Sequence, residues 1–176
     1  MKTTGIVRRI DELGRVVIPK EIRKTMRIKE GEEMEVCVSD ADTLVLKKYS
    51  PIKTLEKLGR EYAEILHKHT DYACYICDND EITASCGDRE TPVGAKITKG
   101  LEAVLRQRKS GYLRKAEAFA VTVGGDKNDV AYAPIIAGGD VVGGFVLAAK
   151  DGAMSGADKC VKLLEVGANF FAMQLE

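Results

Sequence analysis

Four short strand-like runs and one short helix crowd into the first 48 residues, with too few apolar side chains to close a core around them. Thr4 to Ile10 reads as a strand through Ile6, Val7 and Ile10, and Asp11-Glu12-Leu13-Gly14 as a turn. Arg15-Val16-Val17-Ile18 is short and β-branched, a second strand. Pro19 follows where a helix would begin, a position at which its missing N–H costs little, and Lys20 to Met26 has room for about two turns. Met34 to Val38 alternates with period two, Ser39-Asp40-Ala41-Asp42 is a turn, and Thr43 to Lys47 alternates again through Leu44 and Leu46. A β-β-α-β-β segment with roughly a dozen apolar side chains buries too little surface to stand alone. A second copy, its strands interleaved with the first in one barrel-like dimer, is the economical completion.

Charge is unevenly distributed along the same stretch. The whole chain balances 27 Lys+Arg against 27 Asp+Glu, which on its face argues against a polyanion partner. Residues 1–29, however, carry Lys2, Arg8, Arg9, Arg15, Lys20, Arg23, Lys24, Arg27 and Lys29 against Asp11, Glu12 and Glu21, a net of +6. Residues 30–46 hold Glu30, Glu32, Glu33, Glu35, Asp40 and Asp42 with no base, a net of −6, and the remainder is neutral. Doubling the basic stretch in a dimer makes a patch suited to phosphates, with counterion release as its driving force. The acidic run reads as a solvated rear face turned away from such a polyanion.

Ser50-Pro51 opens a second unit, with Ser as N-cap and Pro at the first helical position. A helix over residues 51–68 carries Leu55, Leu58, Tyr62, Ile65 and Leu66. Strands are expected at Tyr72 to Cys77 and Ile82 to Ser85, then a helix marked by Val93, Ile97, Leu101, Val104 and Leu105. Further strands are expected at Phe119 to Val123, Val130 to Ile136 and Val141 to Ala149. A last helix, residues 155–174, starts at Ser155 with Asp158 three residues on and bears Cys160, Leu163, Leu164, Gly167, Phe170 and Phe171. The body is α-β-β-α-β-β-β-α, an antiparallel sheet with helices, so the chain is α+β by class.

Enzyme chemistry finds no support in these residues, and no nucleophile–base constellation is present. Cys74 and Cys77 have CxxC spacing, but on a strand residues three apart point to opposite faces. A single such pair is weak grounds for zinc, and buried free thiols are expected instead. His67 and His69 lie on different faces of their helix, and the glycine pairs Gly138-Gly139 and Gly143-Gly144 lack the Lys-Ser/Thr of a phosphate loop. The longest nearly apolar run, Val141 to Ala149, is too short to span a bilayer, and no apolar leader opens the chain. Five cysteines without such a leader point to a reducing cytoplasm.

The run from Thr4 through Pro19, continuing with Glu21-Ile22-Arg23-Lys24 and closing at Leu46-Lys47-Lys48-Tyr49, resembles the N-terminal domain of the AbrB transition-state regulators of spore-forming bacteria. The body resembles a GAF domain, through its topology and through Ala133-Pro134-Ile135-Ile136 followed by a glycine turn and Val142 to Leu147. Together they resemble a family member in which residues 1–50 would form an AbrB-like swapped-hairpin DNA-binding domain and residues 51–176 a GAF-like sensing or oligomerisation domain. The resemblance implies a transcription regulator of sporulation genes, activator and repressor, working on the nucleoid in the cytoplasm. Its DNA-contacting residues would be Arg8, Arg9, Arg15, Lys20, Arg23 and Lys24, on double-stranded DNA. Lysine at 24 keeps the charge of the family's usual arginine without its fork. Because few of these side chains reach base edges, DNA shape and bendability would supply much of the specificity. Helices 51–68 and 155–174 would join two dimers into a tetramer. No cofactor is implied; a small-molecule effector, if one binds, would lie on the sheet face covered by residues 86–120. The same swapped-hairpin fold also serves antitoxins, which leaves a partner-binding module as the alternative.

Overall fold

A computed structural model describes residues 4–39, 42–88, 91–150 and 152–176. The chain divides into two compact units, Met1–Tyr49 and Ser50–Glu176.

In the first unit, helix α1 (Lys20–Thr25) starts directly after Pro19, whose carbonyl accepts the Arg23 amide at 3.0 Å. Strands β1 (Met34–Ser39) and β2 (Thr43–Lys48) pair antiparallel, with Val36 opposite Leu46 and Val38 opposite Leu44. The expected turn between them falls partly on Asp40 and Ala41, outside the described residues, as does Lys2. The strands expected at Thr4–Ile10 and Arg15–Ile18 do not form in the single chain. Strand-like sequence needs a neighbour to complete its ladder, and here the turn closes without one. Ile6, Val7, Ile10, Leu13, Val16 and Val17 are accordingly exposed, Val7 at 87%, and so are Val36, Val38 and Leu44 on the hairpin.

The second unit is a five-stranded antiparallel sheet in the order β4-β3-β7-β6-β5, made of β3 (Ala73–Cys77), β4 (Ile82–Cys86), β5 (Gly111–Leu113), β6 (Asp129–Ala137) and β7 (Asp140–Ala149). Helices α2 (Glu56–Thr70) and α4 (Ala157–Leu175) cover one face through Leu66, Leu164, Ala168 and Phe171, packed on Ile76, Ala133, Phe145 and Leu147. Helix α3 (Lys99–Arg106) and the segment after it cover the other, where Ile97, Leu101, Leu105, Ala118 and Val121 meet Tyr75, Val130, Tyr132 and Val146. On that face the α3 side and the sheet pack directly against each other through these residues. Alternation puts Cys74 on the α2/α4 side and Cys77 on the α3 side, so the CxxC pair is split by the sheet. Burial pushes the Cys77 thiol up to about 12 and Cys74 well above its ordinary range.

Several boundaries differ from expectation for local reasons. Residues 51–55 form a 3-10 turn ahead of α2, and the Ser50 hydroxyl makes no capping bond; buried, it has no hydrogen-bond partner among the described residues. Helix α3 begins at Lys99 rather than near Val93, because Ile97 bridges to Thr122 and Thr98 Oγ1 accepts the Leu101 amide as the true cap. Residues 119–123 contribute isolated bridges, Ala120 to Lys127 and Thr122 to Ile97, not a strand; the third sheet partner on that side is the short β5. Helix α4 is preceded by Gly156 in the left-handed conformation (φ 64°), so Ser155 does not cap it. Its buried face holds Cys160, Leu164, Gly167, Ala168 and Phe171, while Phe170 is 40% exposed.

Candidate nucleic-acid interface

The six expected DNA-contacting residues all lie in the first unit and all are exposed. Arg8 and Arg9 are on the arm that enters the turn, Arg15 is the first residue leaving it, and Lys20, Arg23 and Lys24 are on α1. The turn joins the two arms tightly. The Asp11 amide donates to the Arg15 carbonyl at 3.1 Å and the Gly14 amide to the Asp11 carbonyl at 2.9 Å. Gly14 has φ 76°, a conformation that a residue with a Cβ adopts only at a cost, so the glycine belongs to the turn geometry.

Asp11 organises the turn in a way that a charge count does not reveal. Its Oδ1 accepts the Leu13 and Arg15 amides at 3.0 and 2.8 Å, and its Oδ2 accepts Arg15 Nε at 2.7 Å. The Arg15 amide first, then its guanidinium, hold the Asp11 carboxyl below its ordinary value. An Asp three residues before a Gly-Arg pair is a recognisable turn signal, but its grip on a guanidinium depends on side-chain placement. Among the described residues, Arg8, Arg9 and Arg23 have no ion pair, whereas Arg15 is held by Asp11.

The acidic run is more than a solvated face. Glu32 Oε2 accepts the Lys29 amide at 2.7 Å, its Oε1 pairs with Lys48 Nζ at 3.1 Å, and Lys48 also donates to the Arg27 carbonyl at 2.9 Å. Glu32 therefore ties the turn after α1 to the end of β2 and fixes the basic helix to the hairpin. The same unit presents apolar residues that lack cover: one face of the hairpin displays Val36, Val38 and Leu44, and the arms display Ile6, Val7, Ile10, Val16 and Val17. Among the described residues no group of three or more His, Cys, Asp or Glu is placed to hold a metal ion, and no helix is long and apolar enough to cross a membrane.

Comparison with known proteins agrees with this geometry. The model for the stage V sporulation protein T C-terminal family, transcription factor, matches residues 54–176. The model for MazE bacterial antitoxins (antidote-toxin recognition) matches residues 7–54. Over 179 aligned residues, 100% of this chain and 99% of the relative, the chain is 41% identical to stage V sporulation protein T of Bacillus subtilis (strain 168). It is 52% identical to the transition state regulatory protein AbrB of the same organism over 59 residues, 34% of this chain and 60% of that one. The A. aeolicus nlh2 GAF domain, solved in an inactive state, aligns with a TM-score of 0.53 at 17% identity, over 72% of this chain and 85% of that chain. At that identity the likeness establishes the GAF-like fold of the body.

Proposed function

Because the chain belongs to the stage V sporulation protein T family of transcription factors, we propose that it is a dimer-based DNA-binding regulator of sporulation genes, activating some and repressing others. Residues 1–50 supply the DNA-binding domain, completed by a second copy, and residues 51–176 supply sensing and assembly. Arg8, Arg9, Arg15, Lys20, Arg23 and Lys24 contact double-stranded DNA, and the protein works on the nucleoid in the cytoplasm. One observation carries the reading: in the first unit, exposed arginines lie among exposed apolar residues that a single chain leaves uncovered. Burying those residues against a second copy brings two sets of basic side chains into one domain, and the doubled charge favours a polyanion. Two such dimers meet through helices 51–68 and 155–174 to give a tetramer.

Mobility-shift titration of the full chain at two salt concentrations tests this. With 6–10 phosphate contacts, affinity falls by about 10³–10⁵ between about 50 and 200 mM salt. Arg15→Ala and Arg23→Ala weaken binding strongly while the oligomer persists in sedimentation. Salt-independent affinity, or unchanged binding in both variants, refutes the proposal. The antitoxin match over residues 7–54 favours a second reading, a partner-binding module; in that case a protein partner binds the first unit tightly and DNA only weakly.

A further inference from the structure

We propose that Asp11 is a positioning residue for DNA recognition: its carboxylate grips Arg15 along the Nε edge and turns the Nη1/Nη2 edge toward the duplex. This rests on the DNA-binding function proposed above and identifies the group that sets how one of its arginines is offered. The carboxylate cannot swing freely. Oδ1 is held by the Leu13 and Arg15 amides at 3.0 and 2.8 Å, which leaves Oδ2 aimed at Arg15 Nε at 2.7 Å. The guanidinium is thereby referred to the main chain of the turn, which is itself closed by the Asp11–Arg15 and Gly14–Asp11 backbone bonds.

Arginine has five N–H donors in a planar fork. With Nε engaged, four remain, on the two Nη atoms, and the Arg15 side chain is 72% exposed. That end-on pair matches two phosphate oxygens, or the O6 and N7 of a guanine. Holding the group in advance lowers the rotamer entropy lost on binding, an advantage the unpaired Arg8, Arg9 and Arg23 do not have. A carboxylate inside a basic stretch also opposes the general attraction to phosphate. Its net effect is to exchange some affinity for all DNA against orientation on the right DNA.

Asp11→Asn separates these effects. Asparagine keeps an Oδ1 acceptor for the two amides, so the turn is retained, but its Nδ2 cannot accept from Nε. Wild-type chain, Asp11→Asn, Arg15→Ala and the double variant are titrated against two probes: a duplex selected by the wild-type chain from a random pool, and a scrambled duplex of the same composition. Asp11→Asn is expected to bind the scrambled duplex more tightly and to lower the selected-to-scrambled ratio by about fivefold. In the Arg15→Ala background it leaves that ratio unchanged. Equal tightening on both duplexes means a simple charge effect and overturns the assignment. So does an undiminished drop in the ratio when Arg15 is absent. A second readout needs no DNA: the Arg15 Nε–H resonance in nitrogen-15 spectra is shifted and slow to exchange in the wild type and ordinary in Asp11→Asn. An ordinary resonance in the wild type also overturns it. If the pool yields no enriched duplex and Arg15→Ala binds scrambled DNA as the wild type does, the DNA-binding reading itself falls, and this assignment with it.

Discussion

Asp129 shows how one side chain can hold three segments together. Its carboxylate accepts the Tyr112 hydroxyl at 2.5 Å, the Lys115 amide at 2.7 Å and the Met154 amide at 2.9 Å, so β5, the segment after it and the approach to α4 meet at the first residue of β6. The Tyr112 hydrogen bond first, then the Met154 and Lys115 amides, hold its carboxyl below the ordinary 3.8. A lowered folded-state value means that the stabilisation is fully present above the unfolded value and is lost as the pH falls through the folded one. Asp129→Asn is therefore expected to melt below the wild type at neutral pH, with the gap closing as the pH falls below about 4. Thermal unfolding across that range checks this; a constant gap would assign the effect to shape rather than charge. The role was not legible in the sequence, where Asp126 and Asp129 look like equivalent turn carboxylates. Which one is drawn inward depends on contacts from residues 17 and 25 positions away along the chain. The basic residues, in contrast, were legible because charge is a property of composition and needs no partner.

At the scale of elements, the α2/α4 layer combines an interior and an exterior function. Tyr62 stacks on Phe170 with centroids 6.4 Å apart and meets Phe145 and Phe171 edge-on. Gly167 makes room for it: a Cβ there would lie 2.7 Å from Tyr62 Cε1. Outside this cluster, Ile65, Val166 and Met173 on the same two helices are 53, 64 and 72% exposed. If these helices join dimers, Val166→Glu places a charge in the contact and the full chain sediments as a dimer instead of a tetramer, with melting of the body little changed. A tetramer that tolerates the glutamate would remove these helices from the assembly. The long strands β6 and β7 were readable because both faces of the central sheet are buried and their apolar runs are nearly continuous. Two short stretches between α3 and β6 were not: Gly111-Tyr112-Leu113 becomes β5 only because β6 offers it an edge, while the more strand-like Phe119 to Val123 is drawn into bridges around α3. The arms flanking Asp11 are the reverse case. Their strand pattern is plain, yet the ladder partner is missing from a single chain.

For the whole molecule, the two units differ in how complete they are. The second closes two cores on a single chain, one on each face of its sheet. The first leaves its apolar arms and one hairpin face in solvent. A fragment ending at Tyr49 is accordingly expected to be dimeric in sedimentation and to lose helix and strand content on dilution, while the body's signature in the full chain is independent of concentration. A concentration-independent 1–49 fragment would contradict the interleaved dimer. The uncovered arms also bear on dose. Where folding of the DNA-binding unit requires a second chain, the number of competent units rises with the square of chain concentration at low levels and only in proportion above the dissociation constant. A gradual accumulation of this protein would then be converted into a sharper onset of promoter occupancy, with the threshold set by how well nine exposed aliphatic side chains fit their copies.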